Sequence, residues 1–138
     1  MSKAVLLDTH IFLWIRAEPS KLLEQERMAI DAAPRRMVSM VSLWEIALLI
    51  SLGRIDSDPR LFALPQGVES LPVLPSHCQE LTGLPQIHRD PFDRMLIAQA
   101  RVENLVLVTR DLKIASYGQA GAATTMFEDL IPKGADYP

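Results

Sequence analysis

At 138 residues, with 49% hydrophobic and 22% charged side chains, the chain has the size and balance of one folded domain around one core, and neither a repeat array nor a disordered chain fits it. A formal charge of -3 excludes a global basic field, so a nucleic-acid partner would have to be met by local basic residues or by bound metal. The single cysteine, Cys78, excludes an internal disulfide and fits a reducing compartment.

Lys3 is followed by the short apolar run Ala4 to Leu7, which Asp8 interrupts before it can serve as a secretory h-region. Val5-Leu6-Leu7 predicts a buried strand, and Ile11 to Arg16 the helix after it. Asp8 stands between them and reads two ways. An Asp there can cap the helix through a free backbone N–H, or it can project from the strand's carboxyl end as a ligand.

Lys21 to Ala32 predicts a second helix with Ser20 as its N-cap, Met37-Val38 a second strand, and Val41 to Leu52 a third helix stopped by Gly53. Glu45 and Ser51 break the apolar stretch of that helix, which falls short of a membrane span, so a cytoplasmic protein is expected. Glu45 has almost only apolar neighbours, and burying a lone carboxylate costs several kcal/mol, of order a few. Either a capping box with Ser42 compensates it, or a metal or metal-bound water does. A helix beginning near Ser39 would weaken the first alternative.

Pro59, Pro65, Pro72 and Pro75 crowd the next stretch, which reads as a connector, with Leu61 to Pro72 a surface excursion. Val73-Leu74 predicts the third strand, and His77 to Leu84 a helix with Ser76 as its cap. Pro91 to Glu103 is the most amphipathic segment, with Pro91 at its first helical position and Asp90 as N-cap. Asp93 falls in the first turn, where the helix dipole favours a negative group with or without a ligand.

Leu105 to Val108 predicts a strand that ends at Thr109-Arg110-Asp111, and Asp111 again reads as cap or ligand, with the Thr109 hydroxyl in support. Leu112 to Tyr117 predicts a last helix stopped by Gly118, Ala123 to Thr125 a last strand, and Lys133 to Pro138 a flexible tail. The whole chain, 1–138, reads as a single domain.

Strands alternating with helices predict a mostly parallel α/β sheet, whose strand carboxyl ends line one crevice. Asp8, Glu45, Asp93 and Asp111 then converge from distant segments, with Asp90 close by. Packed carboxylates repel, and a hard divalent cation is the usual remedy. Arg89, Arg94, Arg110 and Lys113 lie beside these positions and predict either a basic rim for an RNA backbone, or ordinary surface charge or ion pairing with the acids themselves. His10, His77 and His88 have no zinc spacing, and Trp14 and Trp44 read as core or interface anchors.

Taken together, LLDTHIFLW (6–14), SLWEIALL with Gly53-Arg54 (42–54), HRDPFDRMLIAQA (88–100) and LVTRDLKI (107–114) resemble the PIN-domain ribonucleases, most closely the VapC-type toxins of bacterial toxin-antitoxin pairs. The resemblance implies a three-layer α/β/α sandwich and a metal site built from Asp8, Glu45, Asp93 and Asp111. It implies cleavage of RNA, including targets such as tRNA or ribosomal RNA, with one or two magnesium or manganese ions. It also implies a cognate antitoxin and a homodimer. Two other classes compete. A haloacid-dehalogenase phosphotransferase would need a second Asp where this chain reads Asp8-Thr9-His10, and a PIN-like module that binds RNA or antitoxin without cutting would need no intact acidic set.

Overall fold

The computed structural model describes residues 3–86 and 89–111 and the backbone of 125–126. Five strands, β1 (Val5–Leu7), β2 (Arg36–Ser39), β3 (Val68–Leu71), β4 (Val106–Val108) and β5 (Thr125–Met126), form one sheet in the order β3-β2-β1-β4-β5. Every neighbouring pair is parallel. Among the described residues the α-helices are α1 (Thr9–Ala17), α2 (Glu24–Ala32), α3 (Met40–Ser51), α4 (Pro75–Leu81) and α5 (Pro91–Glu103).

Helices cover both faces of the sheet, which explains why its central strands are apolar without alternation. Leu6, Met37 and Leu107 pack on one face with Leu84, Leu96 and Ile97. Val5, Leu7, Val38 and Val108 pack on the other with Ile11, Phe12 and Ile30. The result is the expected α/β/α sandwich, with β1 fully buried between its two cores. Among the described residues, no helix is long and apolar enough to cross a membrane.

From β1 the chain builds outward through β2 to β3, then returns to place β4 on the other side of β1. The β1–β4 junction is therefore the topological switch point, the usual ligand crevice of such sheets. Asp8 and Thr109 are the first residues beyond these two strands.

Several local expectations are corrected. The third strand is Val68–Leu71, not Val73-Leu74, because Val73 and Leu74 lie between Pro72 and Pro75, which lack the N–H a ladder needs. The stretch expected as a surface excursion thus supplies the edge strand, and it buries Leu61 within a 3₁₀ turn over Pro59–Phe62. Helix α2 begins at Glu24, and Ser20 lies in a preceding 3₁₀ turn, Pro19–Lys21, so Ser20 does not cap it. Helix α4 begins at Pro75, so Ser76 is already inside it, and the helix ends at Leu81, short of the expected Leu84. Gly53 does follow α3, with φ of 71°, and Asp90 does cap α5. The expected helix Leu112–Tyr117, its stop at Gly118 and the tail lie outside the described residues, as do 123–124 of the last expected strand.

Candidate metal centre

The site begins with a ladder that runs one residue past the sheet. The backbone N–H of Asp8 donates to the carbonyl of Val108 (3.0 Å), which brings the ends of β1 and β4 side by side. Asp8 occupies the N-cap position of α1, yet its side chain makes no capping hydrogen bond. Its Oδ2 instead accepts from Thr109 Oγ1 at 2.7 Å, while Oγ1 accepts from the backbone N–H of Asp111 at 3.0 Å. A hydroxyl has one donor and spare acceptor capacity, so Thr109 ties both carboxylate-bearing residues to one buried atom. Burial of Asp8 pushes its pKa up, against the Thr109 hydrogen bond and the His10 charge, which lower it.

Glu45 arrives from α3. That helix starts at Met40, with Ser39 as its N-cap accepting from the N–H of Val41 (3.0 Å), so the capping box of Ser42 with Glu45 is absent. Glu45 Oε1 is buried with no hydrogen-bond partner. Burial raises its pKa first, Asp90 and Asp8 raise it further, and Thr9 and His10 work in the opposite direction. An orphaned buried carboxylate oxygen is costly, and a cation is one way to satisfy it.

Asp93 comes from the first turn of α5, set there by Asp90, whose Oδ1 accepts from the N–H groups of Phe92 (2.9 Å) and Asp93 (3.3 Å). Its carboxyl is buried, and its pKa is pushed up to about 9, first by desolvation and then by Asp8, Asp90, Asp111 and Glu45. All five acids thus share one electrostatic neighbourhood. They do not close into a cage: among the described residues, no three His, Cys, Asp or Glu side chains are arranged to hold a metal ion as they stand. Like charges in a poorly solvated crevice favour wide spacing, and all-oxygen donors of this kind suit a hard divalent cation. The orphaned Glu45 oxygen and the raised Asp93 carboxyl both fit such an ion.

Hydrogen bonds between distant polar groups, which no local pattern in the sequence announces, hold the elements that carry the acids. Thr9 Oγ1 donates to Ser42 Oγ (2.9 Å), both buried, linking the residue after Asp8 to the helix that carries Glu45. Ser39 Oγ donates to Gln99 Oε1 (2.6 Å), and Gln99 Nε2 donates to the carbonyl of Pro72 (3.2 Å), which locks α3 to α5. A glutamine on an otherwise apolar face of α5 was the available signal.

Two residues of the expected basic rim, Arg110 and Arg94, bind groups of the protein itself. Arg110 donates from Nε and Nη2 to the two carboxylate oxygens of Glu26, each at 2.6 Å, and from Nη2 to the carbonyl of Lys21. Arg94 donates to the carbonyl of Pro85 at 3.0 Å. Arg89 is exposed, and Lys113 lies outside the described residues. His77 is fully buried, its Nδ1 accepting from the N–H of Leu74 at the start of α4 (3.0 Å), and His88 lies outside the described residues. Trp14 packs beneath Arg110, and Trp44, exposed on α3, meets Phe92 edge-on.

Residues 5–119 match the PIN domain family. Ribonuclease VapC22 of Mycobacterium tuberculosis is 34% identical over 118 residues, 82% of this chain and 91% of that protein. In shape the chain is similar to VapBC2 from Rickettsia felis, solved bound to a DNA fragment from its promoter, with a TM-score of 0.66 at 14% identity. A toxin-antitoxin complex from Klebsiella pneumoniae gives a TM-score of 0.59 at 18% identity. Each of these two matches covers 88% of this chain and 96% of the other, and at such identity they speak for the fold alone.

Proposed function

Because this chain belongs to the PIN domain family, we propose that it is a magnesium- or manganese-dependent endoribonuclease and the toxin of a toxin-antitoxin pair. The observation that carries this reading is the gathering of Asp8, Glu45, Asp93 and Asp111 at the switch point of the sheet, where burial first, and then the neighbouring acids, raise the Asp93 carboxyl. The name of a relative, Ribonuclease VapC22, supports the same reading.

Asp8, Glu45, Asp93 and Asp111 are the residues that would hold the ion, one or two of them per site. When bound, it would offset the repulsion among the acids and a scissile phosphate, lower the pKa of the attacking water, and stabilise the departing alkoxide. The chain's own part is to orient the groups. Thr109 holds Asp8 Oδ2 and the backbone of Asp111, and the Thr9–Ser42 pair steadies the approach of Glu45. Glu45 Oε1 accepts no hydrogen bond from the protein, which leaves it open to an ion or to a proton. Asp90 holds the first turn of α5, and with it Asp93.

On this reading the products carry 5′-phosphate and 3′-hydroxyl ends, the target is a structured RNA such as tRNA or ribosomal RNA, and growth stops through loss of translation. A cognate antitoxin, a homodimer and a cytoplasmic location belong to the same proposal. Mapping 5′ ends of cellular RNA after brief induction tests it: new, discrete ends that vanish with Asp8→Asn are expected, and their absence in the unaltered protein would refute it. The open spacing of the acids favours one other reading, a module that binds RNA or antitoxin without cutting. Toxicity that persists in Asp8→Asn would support that module.

A further inference from the structure

The ladder between β1 and β4 ends at Val108, and side-chain contacts hold the residues that follow it. Thr109 supplies one of these contacts, to Asp8. Arg110 supplies another, to α2. Its planar fork meets both oxygens of Glu26, a residue only 1% exposed, and its Cζ lies 4.3 Å from the centroid of the Trp14 ring. Glu26 Oε1 also accepts from the N–H of Leu23 (2.7 Å), so the carboxylate is oriented by α2 itself. Trp14 belongs to α1, the helix that Asp8 begins.

We infer that the Glu26–Arg110 ion pair, seated on Trp14, is a positioning device for the carboxylate site. It anchors the segment 109–111 from behind, so that Thr109 Oγ1 and Asp111 meet Asp8 in the orientation that a divalent cation requires. This rests on the metal-site reading above. Arg110 suits the role and lysine would not, because only a guanidinium combines a two-point carboxylate contact with stacking on an aromatic face. Groups behind metal ligands that set their orientation change affinity when removed, by about 10- to 100-fold.

The test is titration of the full-length, metal-free protein with manganese alone, followed by calorimetry at low temperature, with circular dichroism to verify the fold. Glu26→Gln and Arg110→Lys are each expected to weaken manganese binding about 10-fold while the protein stays folded. The double variant should lose little more than either single one, since the two residues act as a unit. Glu69→Gln, which breaks the exposed Arg35–Glu69 pair, should leave the affinity unchanged. Trp14→Leu provides a second route should the ion-pair variants unfold, with an expected loss of about 3-fold from the missing ring contact. Unchanged manganese affinity in the folded variants, with only a lower melting temperature, would make the pair a simple staple and overturn the inference. Manganese binding by the unaltered protein that Asp8→Asn abolishes keeps the site reading intact in that case. No manganese binding by the unaltered protein would overturn both.

Discussion

Thr109 Oγ1 donates a 2.7 Å hydrogen bond to Asp8 Oδ2 across 101 residues of sequence, joining the ends of two central parallel strands at the point where the strand order reverses. Replacing Thr109 by Val keeps the shape and removes the donor, leaving a buried carboxylate oxygen unsatisfied. The loss of stability should be about 1–3 kcal/mol in chemical denaturation at neutral pH. The Asp8 pKa should rise further, because that hydrogen bond lowers it, and a carboxyl-resolved NMR titration reads the change directly.

Asp93 makes the metal-free protein pH-sensitive in an unusual direction. The folded chain keeps its proton up to about pH 9, whereas the unfolded chain releases it near the ordinary value of 3.8. Between these limits the folded state binds more protons, so its stability falls as pH rises. Asp93→Asn should flatten that slope in EDTA and raise stability at pH 8 by at least about 1.4 kcal/mol, the equivalent of one pKa unit. Denaturation curves at pH 5 and pH 8 for both proteins check it, and an unaltered slope in the variant would count against the burial of this charge.

Ser39 serves two partners, capping α3 through Val41 and donating to Gln99. Ser39→Ala should therefore cost about 1–3 kcal/mol, the sum of a lost cap and an unsatisfied buried amide oxygen. Adding Gln99→Leu should recover part of that loss by removing the orphaned group. A double-mutant cycle in urea measures the coupling, and strictly additive losses would show that the pair is not shared.

The acids were legible in the sequence because a carboxylate that ends an apolar run, or interrupts one, stands out against its neighbours. Asp8, Glu45 and Asp93 each break a pattern that burial otherwise explains. Helix α5 was legible to the residue, since Asp90 and Pro91 mark its start chemically. What lay hidden depends on contacts between distant segments. Thr9 with Ser42, Ser39 with Gln99 and Glu26 with Arg110 pair residues 33, 60 and 84 positions apart, and no local pattern announces them. Arg110 reads in the sequence as a rim for RNA, as ordinary surface charge or as a partner of the acids, and its partner is Glu26 of α2. The edge strand was misplaced because Val68–Leu71 carries Glu69 and Ser70 on exposed positions, while the more apolar Val73-Leu74 is hemmed by prolines.

The most direct test of the account is incubation of the purified protein with total RNA in magnesium or manganese and, in parallel, in EDTA, with the 5′ ends of the products identified. Cleavage that needs the metal, leaves 5′-phosphates, and falls at least about 100-fold in Asp8→Asn is the predicted result. Equal cleavage in EDTA, cyclic-phosphate ends, or full activity in Asp8→Asn would contradict it.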